Sequence, residues 1–438
     1  MNRRELLVTA GALAATACSP QQTAGPGASS QAVSVPTGDP FTGDKLMADV
    51  EKYVSFGTHR TGSPGDISTS EWFAARWKSL GYTVEQTEFP TPNADTRVAK
   101  LRFGTEAIDG FAQPPLSFTP EGGLNSPMVY YNPKTAKDVA NRIAIVHIPR
   151  APGAPNQPDL RPMIERAGLA GAIGIIAISD SPSGEPVAIN TPAELEFPTP
   201  VLIVAAKHKA AIDAAVAAGT PAKLIIEGPG GFRNGKNTVA KLGQAGPWVI
   251  ISTPQSGWFT CGAERGPGVA MSLALSQWAA QKKLPVRFLF IATSGHEWTD
   301  AGAHVFHQMQ APKPVETMLW FHLGASFGGR AFEEGTPKPL DTPNLARTLM
   351  LTPDLMDSAK AAFAGQPVIS EPALADAAKA LGEYKLVVQE GYPSSTGFWG
   401  ANTFFHTPID GADGTTGAIM EPIVRAVAKV IEDRIARG

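Results

Sequence analysis

The sequence predicts an α/β fold with a mainly parallel, doubly wound sheet and helices on both faces. Apolar runs such as 285–294 and 315–324 have the length and composition of strands that are buried on both sides. Segments with helical patterning, among them 266–281 and 419–436, alternate with these runs. Strand–helix alternation is typical of parallel sheets, whose ligands bind at the carboxyl ends of the strands.

The composition excludes several classes of protein. The 438 residues are enough for two or three domains with a large core. The net charge is −3 and charged residues make up 18% of the chain, so no surface for nucleic acid is predicted. The 44 glycines and 39 prolines indicate many turns rather than a helical bundle. Only Cys18 and Cys261 are present, so no disulfide framework is predicted.

The N-terminus has the features of an export signal. Arg3 and Arg4 resemble a twin-arginine signal and precede an apolar run, 6–14, that is far shorter than the roughly 20 residues of a membrane-spanning helix. The letters ATAC that end at Cys18 resemble a bacterial lipoprotein cleavage box. We therefore expect a periplasmic or cell-envelope protein that meets the membrane only through a lipid on Cys18. Ordinary signal cleavage near Ala17 is the alternative.

Three regions are predicted along the chain. Residues 1–40 hold the signal and a disordered tether that is rich in Ser, Pro, Gly and Gln. Residues 41–110 and 233–438 form the main α/β domain. Residues 111–232 have apolar strand runs of their own, and we expect them to form an inserted, smaller α/β or β-rich domain.

Some elements of the main domain are predicted from local patterns. Ser68 and Glu71 resemble a capping box, which predicts the start of a helix that ends at Gly81. A helix is predicted near 372–380, and the letters YKLVVQ predict a strand over 384–389.

The stretch TSGHEWTDAGAH, residues 293–304, contains the main candidate for a functional site. His296 and Glu297 are adjacent, as in the H-E-x-x-H helix of zinc proteases, where two ligands lie one turn apart. The fourth position after His296 is Asp300, however, and the pair directly follows the strand run 285–294. We therefore expect it at the end of a strand rather than inside a helix.

The order of four segments resembles the clan MH zinc aminopeptidases, which include bacterial leucyl aminopeptidase, glutamate carboxypeptidase II, glutaminyl cyclase and the transferrin receptor. The segments are VSFGTHRTGSPGDISTSEWFAARWKSLGYTV, NTVAKLG (237–243), SGHEWTDAGAHVF at the family's S-x-E-E-x-x-x-x-G-S, and FFHTPIDGAD (404–413) at its H-T-P-x-D. The resemblance runs from about Asp44 to the C-terminus. Residues 111–232 are similar to the protease-associated domain that some members insert.

The resemblance implies a metal site in which some ligands have been replaced. Such enzymes bind two zinc ions, and a glutamate activates the bridging water. His406 matches the last ligand histidine, and Glu297 matches the ligand glutamate. His296 stands where the family has its general-base glutamate. Two metal ligands are therefore implied to remain, whereas the usual base does not.

The other ligand positions differ more strongly from the family. Its first H-x-D is TPQ at 253–255, which removes one ligand and an orienting aspartate. His322 stands at an aspartate ligand, and the bridging aspartate matches either Glu264 or Ala263. His322 and Glu264 are therefore further candidate ligands. The resemblance implies zinc, with one ion rather than two, and a metal-free protein stays an alternative.

Two functions are consistent with these residues. His296 can act as a general base, because the pKa of an unperturbed histidine is about 6.5, or it can bind metal while Glu297 acts as the base. In either case the protein would be an exported metallopeptidase-like hydrolase, of the aminopeptidase type, that cleaves a peptide or small amide. Alternatively, His296 and His322 hydrogen-bond across a closed cleft, and the protein is a non-catalytic binding protein on the same scaffold.

Overall fold

The computed structural model describes residues 35–92, 95–151, 154, 157–193, 197, 199–333 and 336–438. The predicted export signal and Cys18 lie outside these residues. No helix in the described part of the chain combines the length and the apolar character needed to cross a membrane.

The described residues form alternating helices and strands. The helices are α1 (Gly43–Val54), α2 (Pro64–Ser79), α3 (Arg161–Leu169), α4 (Lys209–Ala217), α5 (Gly266–Lys282), α6 (Ala301–Met309), α7 (Met356–Ala362), α8 (Tyr384–Gln389) and α9 (Gly417–Ala436). The strands are β1 (Thr83–Pro92), β2 (Val98–Phe103), β3 (Glu106–Asp109), β4 (Phe111–Ala112), β5 (Leu124–Tyr130), β6 (Ile143–His147), β7 (Gly174–Ser179), β8 (Val201–Ala205), β9 (Pro221–Glu227), β10 (Phe232–Leu242), β11 (Trp248–Pro254), β12 (Arg287–Thr293), β13 (Thr317–Leu323), β14 (Arg330–Phe332), β15 (Pro339–Pro343), β16 (Arg347–Leu351), β17 (Ala373–Leu374) and β18 (Ser395–Gly400).

The larger domain is built on a sheet with the strand order β1-β10-β12-β11-β13-β18-β16-β17. Its four central strands, β12, β11, β13 and β18, are parallel, whereas β1, β10 and β16 pair antiparallel to their neighbours toward the edges. The predicted α/β fold with a mainly parallel sheet is confirmed. All four central strands point their carboxyl ends at the same edge, where the candidate site lies.

Helices cover both faces of this sheet because successive side chains of a buried strand point to opposite sides. Ile251 and Phe290 pack in one apolar cluster with α1, α5 and α9. Their neighbours Ile250 and Leu289 pack in another cluster with α6 and α8. Both faces are therefore covered, which explains why these strands read as continuous apolar runs.

A second sheet has the strand order β3-β2-β9-β5-β6-β7-β8-β4. Strands β5 to β8 are parallel, and β2, β3, β4 and β9 pair antiparallel at its ends. The strands of this sheet lie between Val98 and Glu227. Two of them, β2 and β3, precede residue 111, where the insert is predicted to begin. The division of the chain into a main domain and an insert stays a prediction.

Two predicted elements of the main domain are wrong. Residues 372–380 form no helix. Ala373–Leu374 instead form the edge strand β17, which pairs with β16, and this pairing overrides the helix propensity of an alanine-rich segment. Residues 384–389 form α8 rather than a strand. Tyr384 and Val387 are three residues apart and pack together on the sheet, which is helical spacing.

The start of α2 also differs from the prediction. The helix begins at Pro64, and the Ser63 side chain accepts a hydrogen bond from the Asp66 backbone N–H. Proline is well suited to the first turn because it has no N–H to leave unpaired. The pattern at Ser68 and Glu71 therefore lies inside the helix and does not cap it.

Candidate functional site

The predicted site residues lie at the carboxyl ends of the central strands. His296 and Glu297 follow β12, and His322 is the penultimate residue of β13. Glu264 precedes α5, which follows β11, and His406 lies in the loop after β18. The prediction that the His–Glu pair lies at a strand end agrees with the structure.

The chain turns sharply at the His–Glu pair. Gly295, Thr299 and Asp300 have φ of 83°, 50° and 62°, which is the left-handed region. Between them, residues 296–298 form a single 3-10 turn. This turn brings Asp300 back against His296, since its Oδ1 lies 2.8 Å from Nδ1 of the imidazole.

His296 contacts a second carboxylate that the sequence did not indicate. Oε1 of Glu383 lies 3.6 Å from Nδ1 of His296, and both Glu383 oxygens accept from the Thr293 hydroxyl at 2.8 Å. Nδ1 of His296 is buried and makes no hydrogen bond of good geometry, despite the two nearby carboxylates. Two carboxylates this close together favour a positive charge between them, on the imidazole itself or on a bound ion.

The carboxylates control the charge of the imidazole. Burial and the nearby Arg265 act to lower the pKa of His296, but Asp300 and Glu383 outweigh them and raise it to about 9. At neutral pH the imidazole is then protonated and has no lone pair with which to accept a proton. In this arrangement a general-base role for His296 requires that its proton first be displaced.

His296, Asp300 and Glu383 also form a group that could hold a metal ion. Each offers one ligand atom, and these atoms lie within 4.8 Å of one another. It is the only such group of three among the residues that the structure describes. The sequence predicted four other ligands, which are Glu297, His406, His322 and Glu264. Among the described residues, these four do not form such a group.

Glu297 binds neighbouring loops through its carboxylate. The side chain is fully buried, and its oxygens accept from the Thr61 backbone N–H at 2.9 Å, the Thr61 hydroxyl at 3.0 Å and the Ser256 hydroxyl at 2.6 Å. These bonds join the loop before α2 to the ends of β11 and β12. A role of Glu297 as metal ligand or base would require some of them to be exchanged.

Glu264 and His406 lie next to each other in the same cleft. Oε1 of Glu264 lies 2.8 Å from Nη2 of Arg265 and 3.3 Å from Nε2 of His406. Burial acts to raise the pKa of Glu264, but Arg265 and His406 lower it to about 2. Glu264 is therefore an ionised, buried carboxylate, and a buried protein cation already pairs with it.

The orientation of His406 is set by the second sheet's region of the chain. Its Nδ1 lies 2.9 Å from the carbonyl oxygen of Ala188, and the Ala188 N–H donates to the His406 carbonyl. Because a carbonyl only accepts, Nδ1 carries a proton, and Nε2 faces Glu264 without a hydrogen bond of good geometry. This pair fits either a doubly protonated imidazole or a cation shared with Glu264, as in many metal sites.

His322 is held as a neutral hydrogen-bond donor. Trp320 Nε1–H donates to the Ser252 hydroxyl at 2.8 Å, and that hydroxyl lies 2.9 Å from Nδ1 of His322. Among the described residues, Nδ1 is the only acceptor in place for the Ser252 proton, so the imidazole proton sits on Nε2. Burial, together with the charge of His296, lowers the pKa of His322 to about 3. Binding a metal through Nε2 would require the other tautomer.

Residues 253–255, where the resemblance implies an H-x-D motif, take part in a hydrogen-bonded network. The Thr253 hydroxyl donates to the Leu323 carbonyl at 2.9 Å. Gln255 Nε2 donates to Oδ1 of Asp66 at 2.9 Å and to the Ser70 hydroxyl at 2.5 Å. Neither side chain offers a good zinc ligand. The number of metal ions stays a prediction.

Two neighbouring features belong to the same cleft. Asp410 accepts from the backbone N–H groups of Ala263 and Glu264 at 2.8 and 3.0 Å and so orders that loop. A cavity of about 310 Å³ opens beside His406. Ala188 and Asn190 line it on one side and Asn402 on the other, so both sheets contribute to its wall.

Solved structures with the same architecture are zinc aminopeptidases and related peptidases. BSAP, a zinc aminopeptidase from Bacillus subtilis, aligns with 90% of this chain and 96% of its own, at 14% identity and a TM-score of 0.70. The Peptidase M28 precursor from Shewanella amazonensis SB2B aligns with 90% of this chain and 96% of its own, at 15% identity and a TM-score of 0.68. The aminopeptidase from Aneurinibacillus sp. strain AM-1 aligns with 90% of this chain and 94% of its own, at 17% identity and a TM-score of 0.63.

No protein-family model matches the chain, and no curated protein matches it by sequence. At identities of 14 to 17%, the structural likeness defines the fold. It extends over nearly the whole described chain and nearly the whole of each solved structure. The expected resemblance is therefore confirmed in architecture: this chain has the fold of the zinc aminopeptidases.

Proposed function

We propose that the protein is a metal-dependent hydrolase of peptide or related amide bonds, of the aminopeptidase type. The observation that carries this proposal is the group formed by His296, Asp300 and Glu383 at the carboxyl ends of the central strands. In open α/β sheets this edge is where ligands bind. The zinc aminopeptidase fold of the chain supports the same activity.

The residues of this group fit a single zinc ion. One imidazole nitrogen and two carboxylate oxygens are donors that zinc accepts, and three protein ligands are usual for a catalytic zinc site. The three side chains are 12%, 17% and 4% exposed, so the group is sheltered but reachable from solvent. A metal ion would also compensate the buried carboxylate of Glu383 and give the Nδ1 of His296 a partner.

A second arrangement uses the ligands implied by the family resemblance. Glu264 and His406 face each other at 3.3 Å, and a cation between them would satisfy both. Glu297 or His322 would then complete the site after a change of hydrogen bonds. Either arrangement holds one ion, because the residues at 253–255 supply no ligand for a second.

The bound ion would polarise a carbonyl group and lower the pKa of a water molecule. The chain's own residues would do the rest. His322 offers an N–H that can donate to an oxygen on which negative charge develops. Glu264, ionised and next to Arg265, can hold a substrate amine. The cavity beside His406 would accommodate the remainder of the peptide.

Metal analysis combined with hydrolysis assays tests this proposal. Protein purified without chelators should contain about one equivalent of zinc and should hydrolyse aminoacyl p-nitroanilides or short peptides. In the first arrangement, His296→Ala and Glu383→Gln should lose both the metal and the activity. In the second arrangement, Glu264→Gln and His406→Ala should do so instead. The matched control is His208→Ala, because His208 precedes α4 in the second sheet's part of the chain and lines a cavity with no predicted site residue. Metal-free, inactive wild-type protein would refute the hydrolase.

A non-catalytic binding protein is the second candidate, and the buried Arg265 favours it. The guanidinium is only 1% exposed and pairs with Glu264, so an internal cation already occupies part of the site. This candidate would be supported if the wild-type protein carries no metal and cleaves none of the peptides. The Glu383→Gln variant should then be as stable as the wild type. The ion pairs in the cleft would then only stabilise the fold, and a partner would bind to the outer surface of the protein.

We further propose that the protein is exported and anchored by a lipid on Cys18, on the strength of the N-terminal pattern alone. Metabolic labelling with a radioactive fatty acid should mark the wild type and not Cys18→Ser. Label in both proteins, or in neither, would contradict the anchor. If ordinary cleavage near Ala17 occurs instead, the mature protein should be released unlabelled.

We also propose that residues 111–232 are a protease-associated-like insert in the domain formed by 41–110 and 233–438. The contacts of Ala188 with His406 support a role of this region at the site, because they couple the two parts of the chain. Ala188→Pro removes the N–H that binds the His406 carbonyl. If the insert supports catalysis, this variant should lower kcat more than it lowers the unfolding midpoint.

A further inference from the structure

A second cavity, of about 630 Å³, lies between α7, α9 and the β14–β15 hairpin. It shares no lining residue with the candidate site. Apolar side chains form much of its wall, among them Ala362, Ile419 and Pro422. Its volume is within the range of pockets that enclose small organic ligands.

Arg347 lines this cavity and has an uncompensated charge. The residue is 5% exposed. No carboxylate of a described residue forms an ion pair with it, and burial lowers its pKa to about 10. A buried cation without a counter-ion is costly, so such groups are usually paired with an anion. The missing anion can be supplied from the cavity.

The hydrogen bonds of Arg347 leave suitable donors free. Its Nε and Nη2 donate to the carbonyl oxygen of Pro367 at 3.3 and 2.9 Å, and Nη1 donates to that of Phe327 at 3.4 Å. These bonds hold the guanidinium in place and use one N–H of each terminal nitrogen. One N–H remains on each, so the guanidinium can donate two further hydrogen bonds to the oxygens of an anion.

The other charged groups of the cavity are already paired. Arg425 binds Asp39 and Glu421, and Lys429 binds Asp433. Asp341, the one carboxylate among the described residues of the lining, binds Arg330 at 2.6 Å. Arg425 and Lys429 are exposed to solvent at the opening of the cavity, and their acidic partners balance their charges. Arg347 is therefore the lining cation whose charge no described residue balances.

We propose that this cavity binds a small organic carboxylate, with its charged end on Arg347 and its apolar body against Ala362, Ile419 and Pro422. The two free N–H groups favour an anion with oxygen acceptors over a spherical ion. The apolar wall favours a hydrocarbon body over a purely polar anion. The site is independent of the proposed hydrolase, because no catalytic group lines it.

Calorimetric titration of the whole protein with octanoate, octanamide and inorganic phosphate tests the proposal. Octanoate should bind, and octanamide should bind about tenfold more weakly or worse, because it lacks the charge. Inorganic phosphate should bind weakly, because it has no apolar body. Equal binding of octanoate and octanamide, tighter binding of phosphate, or no binding of octanoate would overturn the proposal.

Two variants locate the binding. Arg347→Gln should weaken octanoate binding by about tenfold or more. Since this variant also loses internal hydrogen bonds, Ala418→Trp provides a second test: position 418 is exposed at the cavity wall, and the indole would fill the cavity. It should abolish binding without lowering the melting temperature, whereas the control Ala361→Trp, exposed on α7 outside the cavity, should bind normally. Unchanged binding to Ala418→Trp would refute the site. No turnover is measured, so this outcome is separate from that of the hydrolase assay.

Discussion

Replacing Asp66 by asparagine tests how the network behind the candidate site responds to pH. The Asp66 carboxyl is fully buried and accepts from Gly62 N at 2.8 Å, the Ser294 hydroxyl at 2.7 Å and Gln255 Nε2 at 2.9 Å. Burial raises the pKa of Asp66 to about 7, although these hydrogen bonds act to lower it. Ser294 precedes the His–Glu turn, and Gln255 directly follows β11.

The magnitude follows from the difference between the folded and unfolded pKa values. The carboxyl titrates near 3.8 when unfolded and near 7 when folded. Between these two pH values the folded protein binds more protons than the unfolded protein. The free energy of unfolding therefore falls as pH rises. Its contribution is fully present below the unfolded pKa and is lost as pH rises through the folded value. Roughly three pH units at about 1.4 kcal/mol each give about 4 kcal/mol.

Asp66→Asn should remove this dependence. The amide cannot ionise, and the Oε1 of Gln255, which has no hydrogen-bond partner, can accept from it after the Gln255 amide rotates. Urea unfolding of both proteins, followed by tryptophan fluorescence from about pH 4 to about pH 8, measures the difference. The variant should gain stability relative to the wild type as pH rises. A difference that stays constant, or that grows toward acid pH, would refute the reasoning.

Three further substitutions test the contacts of the site by the same unfolding measurement at neutral pH. Ser252→Ala should cost about 1–3 kcal/mol, because Trp320 Nε1–H loses its acceptor in a buried position. Glu297→Ala should cost about 3 kcal/mol or more, because one N–H and two hydroxyls lose a charged acceptor. Gly302→Ala should cost at least about 1–3 kcal/mol, because its Cβ would lie 2.0 Å from the Ser294 carbonyl oxygen.

Each substitution has a control of the same type at a place where little should change. Ser79→Ala removes an exposed hydroxyl, and Glu71→Ala removes one partner of an exposed pair with Lys236. Gly38→Ala brings a Cβ near only the flexible end of Lys45. The three controls should cost less than about 1 kcal/mol. Equal losses in site variants and controls would mean that the contacts of the site contribute nothing specific.

The sequence was sufficient where the information is local. The apolar run before His296 and Glu297 predicts a buried strand, and a strand that ends there must present the pair at the edge of the sheet. The structure places them so. The alternation of strands and helices likewise predicts the architecture. Local propensity failed at 372–380 and 384–389, where packing against the sheet decides between helix and strand.

The sequence was insufficient where distant side chains meet. Glu383 lies in a segment without any motif, and only the fold brings its carboxylate beside His296. The proton on Nε2 of His322 depends on Ser252 and Trp320, which lie on two neighbouring strands. Arg265 follows Glu264 in the sequence, and only the structure shows that their side chains pair in the cleft.

By itself, the sequence determined the α/β fold and the strand-end position of His296 and Glu297. Those conclusions depend on residue types and their order along the chain. Only the tertiary structure decided that His296 lies between Asp300 and Glu383, that Glu297 binds Thr61 and Ser256, and that Arg347 is buried without a counter-ion. The reason is physical, since charge and hydrogen bonding act over a few ångströms in space, whatever the separation along the chain.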